Sequence, residues 1–394
     1  MTISELIAPA VGARRMGVGT STLSDSFAAA VEATEGAVES ATALLVAFAS
    51  SRYDLAEVAA GARTVAPGAQ IVGCTTSGEL TADGSMDGSL VIAAIEGHGV
   101  SVTTGSAVAI DGDVRTAAAT ATRCIEWAER RAHSAVLLLG DGLHGHQLDI
   151  VRGAYQQLGA EHRLFGACAS NSDVMGESRL LHNGAELTDC VVAAVISSDA
   201  PIGIGVGHGW SPVGNSMMVT DSELNLVRTL DGEPALDYYL NELSAPQSVW
   251  DDPSSFTPWA ITRPLGLSRR GRPEVRCVAN ADYSARTISC FADVPRGSVA
   301  TLMSGDANSV LDAIGVASAE AIRGLGGADP IGLLAFDCLA RKAVLGGRLI
   351  EEASRLRAMA GSIPMAGFYS AGEIARTEGA NGFHNQTFVV MAMA

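Results

Sequence analysis

The chain carries one eight-residue pattern twice, first as Gly73-Cys74-Thr75-Thr76-Ser77-Gly78-Glu79-Leu80 and again as Gly367-Phe368-Tyr369-Ser370-Ala371-Gly372-Glu373-Ile374. Both copies have the form Gly-x-x-Thr/Ser-x-Gly-Glu-Leu/Ile. A partial third copy, Gly-Ala-Cys-Ala-Ser-Asn, occupies residues 166–171. Because a motif that recurs in the same local context indicates an internal repeat, these stretches predict three related units.

Each unit is predicted to run strand, helix, strand, helix, strand, loop, strand. Continuous apolar runs at 43–49, 135–139 and 331–336 are typical of strands buried on both faces. Helical stretches of a dozen residues between such strands favour parallel crossovers. The last strand of each unit follows a short loop and is predicted to be antiparallel. The sequence therefore predicts an α/β fold of mixed, mostly parallel sheets.

The segment between units two and three does not follow the repeated pattern. It includes a Gly-rich strand at 202–210 and a β meander over 259–288. The third unit is therefore predicted to begin after it, with a strand at 298–303. We therefore predict two domains. Residues 16–223 form the first, with two units, and residues 224–394 form the second, with the meander and the third unit.

Composition excludes several classes of protein. The chain has 394 residues, of which 47% are hydrophobic, and a formal net charge of -17. So acidic a chain is a poor ligand for nucleic acid or for an anionic membrane surface. We find no apolar run long enough for a transmembrane helix and no signal peptide. The seven cysteines form no CxxC pair, which favours reduced thiols and a cytoplasmic protein.

Polar side chains follow the buried strands, where ligand sites lie in open α/β sheets. In both complete motif copies a glycine permits a turn that exposes backbone N–H groups, and a glutamate follows it. Glu79 and Glu373 are predicted either to receive the ammonium group of a ligand or to brace their loops, and both alternatives stay open. The predicted ligand contacts in these loops are Thr75, Thr76, Ser77, Glu79, Tyr369, Ser370 and Glu373.

Four further residues of the third unit complete the predicted binding site. Arg341 is predicted either to clamp a carboxylate or phosphate or to pair with Asp337. Cys338 has cationic neighbours, which favour a reactive thiol, and its alternative is a small buried side chain. His384 and Asn385 follow the second Gly-Glu loop, and we expect them to line the pocket.

These motifs resemble those of the FIST family, and the resemblance covers nearly the whole chain. Several separated motifs occur in the family's order, which makes the match specific. The N-terminal FIST pattern is visible at residues 71–79, 205–210 and 212–214. The C-terminal FIST pattern is visible at residues 230–235, 336–341, 367–374 and 383–387.

The resemblance implies a sensory module that binds a small molecule, with amino acids or their derivatives as suggested ligands. We therefore expect a cytoplasmic sensor that binds its ligand in the cleft between the two domains and signals to a partner protein in trans. Whether it forms a homo-oligomer stays open. One branch of the family consists of haem-binding nitric-oxide sensors, which is the first alternative. His208 would then be the axial ligand, since glycine neighbours leave room for a flat ring. Otherwise we expect no cofactor.

An enzyme with a Cys or Ser nucleophile on the same scaffold is the second alternative. The sequence does not favour it, because it has no GxGxxG, Walker or GxSxG motif after a strand. His144 and His146 form an H-x-H pair near Asp141, but no second pair of ligands is evident. We therefore expect no metal site.

Overall fold

Three six-stranded sheets account for most of the protein. The structure is a computed structural model, and it describes residues 13–141, 147–171, 177–268, 273–376 and 382–394. Unit one contains β1 (Arg15–Ser21), α1 (Ser26–Ala37), β2 (Thr42–Ser50), α2 (Leu55–Val65), β3 (Gln70–Thr76), β4 (Glu79–Thr81), β5 (Gly84–Met86) and β6 (Leu90–Glu96). Unit two contains β7 (Val100–Val108), α3 (Val114–Thr122), β8 (His133–Gly140), α4 (Gln147–Leu158), β9 (Arg163–Cys168), β10 (Leu180–His182), β11 (Ala185–Leu187) and β12 (Cys190–Ser198).

A segment of different architecture interrupts unit three after its first strand, β13 (Ile202–Gly207). This insert comprises β14 (Ser211–Glu223), β15 (Leu226–Leu230), β16 (Glu233–Pro234), α5 (Ala235–Glu242), α6 (Gln247–Asp251), α7 (Phe256–Ala260), β17 (Leu265–Leu267), β18 (Glu274–Arg276), β19 (Val278–Asp282), β20 (Thr287–Cys290) and β21 (Val299–Ser304). Unit three continues with α8 (Ala307–Arg323), β22 (Gly332–Cys338), α9 (Leu339–Leu345), α10 (Leu349–Ala360), β23 (Met365–Ser370), β24 (Glu373–Arg376), β25 (Phe383–His384) and β26 (Phe388–Met393).

The three sheets share one order of strands in their four-stranded cores. These cores are β1-β6-β2-β3, β7-β12-β8-β9 and β13-β26-β22-β23. In each, the last strand of the unit lies between the first and second strands and is antiparallel to both. This confirms the mixed α/β class and the antiparallel last strand. That the units are copies of one ancestral repeat stays a prediction.

Each unit donates a short hairpin to the sheet of another unit. Hairpin one (β4–β5) extends the sheet of unit three, hairpin two (β10–β11) extends that of unit one, and hairpin three (β24–β25) extends that of unit two. The exchange forms a closed cycle. Each motif loop therefore leaves one sheet and enters the next, which brings the three loops to a common place.

The expectation of mostly parallel sheets is corrected by the pairing. The parallel pairs among the described strands are β2–β3, β8–β9 and β22–β23, and the other pairs are antiparallel. The cause is the place of the last strand, which separates the first and second strands of each unit. Those two strands still run in the same direction, so their crossover helices remain, but they do not pair.

The predicted start of unit three at 298–303 was wrong, because β21 belongs to the sheet of the insert and β13 holds that place. The glycines of β13 explain why. A Cβ atom on Gly205 would lie 1.9 Å from the Ala317 carbonyl oxygen of α8. Gly19 of β1 has the same relation to Ala33 of α1, also at 1.9 Å. A first strand pressed against the first helix of its unit therefore requires glycine.

The insert, residues 211–304, has an eight-stranded sheet and its own hydrophobic cluster, which includes Val219, Leu236 and Phe256. Ser211 and Ser304 are opposite one another in β14 and β21, so the chain enters and leaves the insert at adjacent points. Glu223, the last residue of the predicted first domain, is the last residue of β14. The two-domain division itself stays a prediction.

The inner faces of the three sheets share one core. Phe48 of β2, Phe165 of β9 and Phe336 of β22 meet there, with ring centroids 6.1 Å apart for Phe48–Phe336 and 6.3 Å for Phe165–Phe336. On the outer faces α1 and α2, α3 and α4, and α8 and α10 each cover the sheet of their own unit. The apolar strand runs are therefore buried on both faces, as predicted.

Candidate functional site: the three-loop junction

Glu79, the first residue of β4, is a fully buried carboxyl group whose two oxygens are already occupied. Its Oε1 accepts a hydrogen bond from the Thr76 hydroxyl. Its Oε2 accepts from the Ser89 N–H at 3.0 Å and from the Ser89 hydroxyl at 2.5 Å. Burial raises the pKa of Glu79, and these donors oppose that rise. The side chain ties hairpin one to the residue that precedes β6.

Glu373, the first residue of β24, repeats this arrangement. Its Oε1 accepts from the Ser370 hydroxyl at 2.6 Å, and its Oε2 accepts from the Thr387 N–H at 3.2 Å and hydroxyl at 2.8 Å. Burial raises the pKa of Glu373 to about 7. Both motif glutamates therefore have the geometry of loop braces.

Unit two has leucine where the other units have glutamate. Glu79 is opposite Phe368, and Glu373 is opposite Ala167, each time next to the glycine of a motif copy. Leu180 holds the corresponding position opposite Cys74. The partial third motif copy ends at Asn171, and the residue that corresponds to the motif glutamate comes nine residues later, at Leu180. Comparison of the loop sequences alone did not reveal this correspondence.

Three loops, at 75–77, 169–171 and 369–371, meet at what we call the three-loop junction. The Ser77 N–H donates to the Ser170 hydroxyl at 2.9 Å, and that hydroxyl donates to the Tyr369 carbonyl oxygen at 2.6 Å. The Ser170 N–H donates to the Thr75 carbonyl oxygen at 3.1 Å. Ser170 therefore joins the loops of units one and three. It was not among the predicted site residues, although it lies in the third motif copy.

Lys342 of α9 is a second residue that the sequence analysis missed. Its Nζ donates to the Ser77 carbonyl oxygen at 3.2 Å and to Asp87 Oδ1 at 2.7 Å. It also lies 4.8 Å from the centroid of the Tyr369 ring, within the range of a cation–π contact. Ser77 Oγ is buried and has no hydrogen-bond partner among the described residues. The junction thus combines an ammonium group with a hydroxyl that has unused capacity.

Comparison with known proteins gives two family matches that together span most of the chain. Residues 43–233 match the FIST N domain, and residues 235–376 match the FIST C domain. The chain belongs to the FIST family. FIST domains are in general sensory, ligand-binding domains of signal transduction. Ser77 and Ser170 lie in the FIST N match and Tyr369 in the FIST C match, so the junction lies where the two matched regions meet.

Relatives in two mycobacteria are similar over all or half of this FIST chain. An uncharacterized protein of Mycobacterium tuberculosis (strain H37Rv) is 25% identical over 95% of this chain and 98% of its own. An uncharacterized protein of Mycobacterium bovis is 26% identical over 56% of this chain and 58% of its own. Among solved structures, the cyanuric acid hydrolase from A. caulinodans is 10% identical, with a TM-score of 0.29 over 96% of this chain and 99% of that one.

Arg341 forms an ion pair with Asp337, which the sequence analysis gave as the alternative to ligand binding. It is fully buried, and its Nε donates to Asp337 Oδ1 at 2.5 Å while its Nη2 donates to the Val310 carbonyl oxygen. Nearby, the Tyr369 hydroxyl donates to the carboxyl group of Glu352 on α10. Burial raises the pKa of Asp337 well above its ordinary value. Tyr369 thus contacts the junction through its backbone and α10 through its hydroxyl.

The remaining predicted residues lie next to Glu373, on the side of the insert. Cys338 is buried, and burial raises the pKa of its thiol. Its surroundings therefore fit an unreactive buried side chain, which was the alternative to a reactive thiol. His384 is opposite Glu373 in hairpin three, and burial lowers the pKa of its imidazole. The Asn385 N–H donates to the Val275 carbonyl oxygen of the insert. These three residues of unit three therefore lie beside Glu373 and the insert.

His208 lies two residues before Trp210, whose indole N–H donates to the Gln386 carbonyl oxygen, and the surroundings of His208 do not fit haem. The room expected beside the glycines of β13 is filled by α8, since a Cβ on Gly207 would lie 2.2 Å from the Ala313 carbonyl oxygen. The Nδ1 of His208 accepts a hydrogen bond from the Trp210 N–H at 3.0 Å. We therefore assign no haem contact to His208 in this FIST protein.

Metal ligands were not expected, and the described ranges contain no group of three or more His, Cys, Asp or Glu side chains that could hold a metal ion. His144 and His146 lie outside the described residues. Asp141 Oδ1 accepts a hydrogen bond from the Ser178 hydroxyl at 2.5 Å. Within the part of the chain that the structure covers, none of the helices has the length and apolar character that a membrane span requires.

Proposed function

We propose that this FIST protein is a cytoplasmic sensor that binds one small molecule at the three-loop junction and signals to a partner protein in trans. The observation that carries the proposal is the Ser77–Ser170–Tyr369 chain of hydrogen bonds, which connects the FIST N and FIST C matches. The two regions are also joined by backbone hydrogen bonds, such as that from the Tyr369 N–H to the Gly78 carbonyl oxygen at 2.9 Å, so a ligand that shifts one of these loops alters how the two regions meet.

The unused hydrogen-bonding capacity supports a ligand at this place. Ser77 Oγ is buried without a partner among the described residues, and Lys342 is 20% exposed and so within reach of solvent. Glu79 and Glu373 already accept three hydrogen bonds each and serve as braces around the site. An amino acid or a derivative, the ligand class suggested for the family, has polar groups of the right kind.

Tyr369 offers a route from the ligand to the surface. Its backbone takes part in the junction, whereas its hydroxyl contacts Glu352 of α10. The same helix carries Ile350, which is 76% exposed. We propose that a shift of Tyr369 on ligand binding is passed to α10, whose outer face meets the signalling partner.

The test is isothermal calorimetry of the full chain against the proteinogenic amino acids and their deaminated derivatives, with mass spectrometry of any co-purified compound. We expect one binding site, weakened at least about tenfold by Ser170→Ala, which removes the bridge between the loops. Ser354→Ala, on the exposed side of α10, is the matched control and should bind as the wild type does. No detectable binding of any compound in the panel, together with no co-purified compound, would refute the proposal.

A further inference from the structure

The chain has 26 lysine and arginine residues, and Lys342 is the only lysine among them. The two side chains differ in ways that matter at a binding site. Arginine presents a planar fork of donors, whereas the lysine ammonium is compact and has three N–H groups on a flexible stem. In a chain that otherwise uses arginine for every such cation, the one compact ammonium lies at the three-loop junction.

Lys342 Nζ donates to two acceptors, one in a buried loop and one on an exposed side chain. The Ser77 carbonyl oxygen, at 3.2 Å, belongs to a buried loop and is a fixed partner. The Asp87 carboxylate, at 2.7 Å, belongs to a side chain that is 77% exposed. An ion pair of that exposure contributes little to stability. Asp87 can therefore be replaced by another anion at little cost.

A second, independent feature points to a ligand at the same place. Ser77 is 5% exposed, and its Oγ has no hydrogen-bond partner among the described residues. A buried hydroxyl without a partner destabilises the protein, and a ligand that accepts its hydrogen bond would remove that cost. The Ser77 carbonyl oxygen already holds Lys342, so the hydroxyl and the ammonium belong to one small region.

We propose that Lys342 and Ser77 form an oxyanion handle for the ligand. The anionic group, a carboxylate or a phosphate, takes the place of Asp87 on Lys342 Nζ and accepts a hydrogen bond from the Ser77 hydroxyl. Asp87 is then an intramolecular competitor of the ligand. The inference rests on the proposed function and adds to it the charge of the ligand and the residues that recognise it.

The presence of one lysine allows a direct measurement. Acetylation of Lys342 by sulfosuccinimidyl acetate is followed by mass spectrometry in sodium acetate, sodium phosphate and sodium chloride at equal ionic strength. An anion that occupies the handle shields the amine and slows its acetylation relative to chloride. Protection by acetate identifies a carboxylate ligand, and protection by phosphate identifies a phosphate. Equal rates in all three salts would overturn the inference.

Asp87→Asn removes the competitor and should lower the anion concentration for half-protection by about threefold. Asp312→Asn is the matched control, because Asp312 also forms an exposed ion pair, with Arg355, and the net charge changes equally. An equal effect of both variants would show a general charge effect and contradict the handle.

Lys342→Arg keeps the pairing cation and should fold, yet we expect weaker binding of any ligand found by calorimetry. If that ligand binds Lys342→Arg and Lys342→Met as it binds the wild type, the handle is wrong while the proposed sensor stands.

Discussion

Glu373 has no exposed surface, and burial raises its pKa to about 7 from an ordinary value near 4.5. Between these values the folded protein holds a proton that the unfolded chain has released. The contribution of this group to stability is therefore complete below about pH 4.5 and is lost as the pH rises through 7. The shift corresponds to about 3 kcal/mol.

Glu373→Gln should therefore lack this pH dependence, because the amide stays neutral throughout. Urea unfolding at pH 5, 6, 7 and 8 would show the wild type losing free energy of unfolding relative to the variant as the pH rises. Glu35→Gln, at an exposed position of α1, is the control and should follow the wild type. Parallel profiles of the wild type and Glu373→Gln would contradict the raised pKa.

For single residues, the sequence drew attention to the polar side chains of the motif loops but did not show which of them have hydrogen-bonding capacity to spare. Thr76, Glu79, Ser370 and Glu373 were predicted together because the two motif copies share them. That the glutamates are saturated depends on Ser89 and Thr387, which reach them through the hairpins. Such partners follow from tertiary structure, so a motif alone could not separate a brace from a ligand contact.

Lys342 shows that a different signal was present. No motif contains it in a conspicuous place, and its contacts with Ser77 and Asp87 cross from one unit to another. Counting the rarest residue types would have found it, because it is the only lysine of the chain. Its distance from hairpin one in the sequence is what hid its role.

At the scale of elements, the glycines of the first strands set how closely the first helices approach. Gly205→Ala should lower the free energy of unfolding by about 3 kcal/mol, since its Cβ would overlap the Ala317 carbonyl oxygen. The matched control lies on the helix itself. Gly315→Ala is exposed, has no atom within 4 Å of the new Cβ, and should stabilise α8 by about 1 kcal/mol. Thermal unfolding of both variants would measure the difference, and a stable Gly205→Ala protein would contradict the packing.

The same glycines explain the error in the position of unit three. The sequence at 202–207 alternates glycine with Ile and Val, much as Gly17-Val18-Gly19 does in β1. Such glycines indicate a close approach of another element to the strand, and in the structure that element is α8. Since α8 follows almost a hundred residues later, the local pattern did not identify its partner.

Hairpin one depends on its glutamate in the same way as hairpin three. Glu79→Ala would leave both Ser89 donors without their buried acceptor and would remove one acceptor of the Thr76 hydroxyl, and we expect the free energy of unfolding to fall by about 3 kcal/mol. Glu79→Gln keeps one side-chain oxygen and should lose less. Urea unfolding of the two variants gives the comparison. A Glu79→Ala protein as stable as the wild type would show that the brace is not needed.

At the scale of the whole molecule, the cyclic exchange of hairpins was beyond prediction. The core strands of units one and two were predicted and the first strand of unit three was misplaced, but the exchange involves β4, β10 and β24, which are only three or four residues long and have their partners in other units. Strand pairing between distant segments is decided by register and packing, which a single sequence does not encode locally. The consequence is that Phe48, Phe165 and Phe336 share one core, so the three units are expected to unfold together.

The insert is the exception to this shared core. Residues 211–304 have their own apolar cluster, and their two ends are opposite one another at Ser211 and Ser304. A segment of this length with its own core is expected to fold alone. Expressed by itself, it should unfold in one cooperative transition in urea, monitored by the fluorescence of Trp250 and Trp259.

The predicted boundary at 223/224 would instead cut between β14 and β15, which pair with each other, so a fragment starting at 224 should lack that transition. A cooperative transition in the shorter fragment alone would show that β14 belongs with the units and that the insert is smaller than the sheet implies.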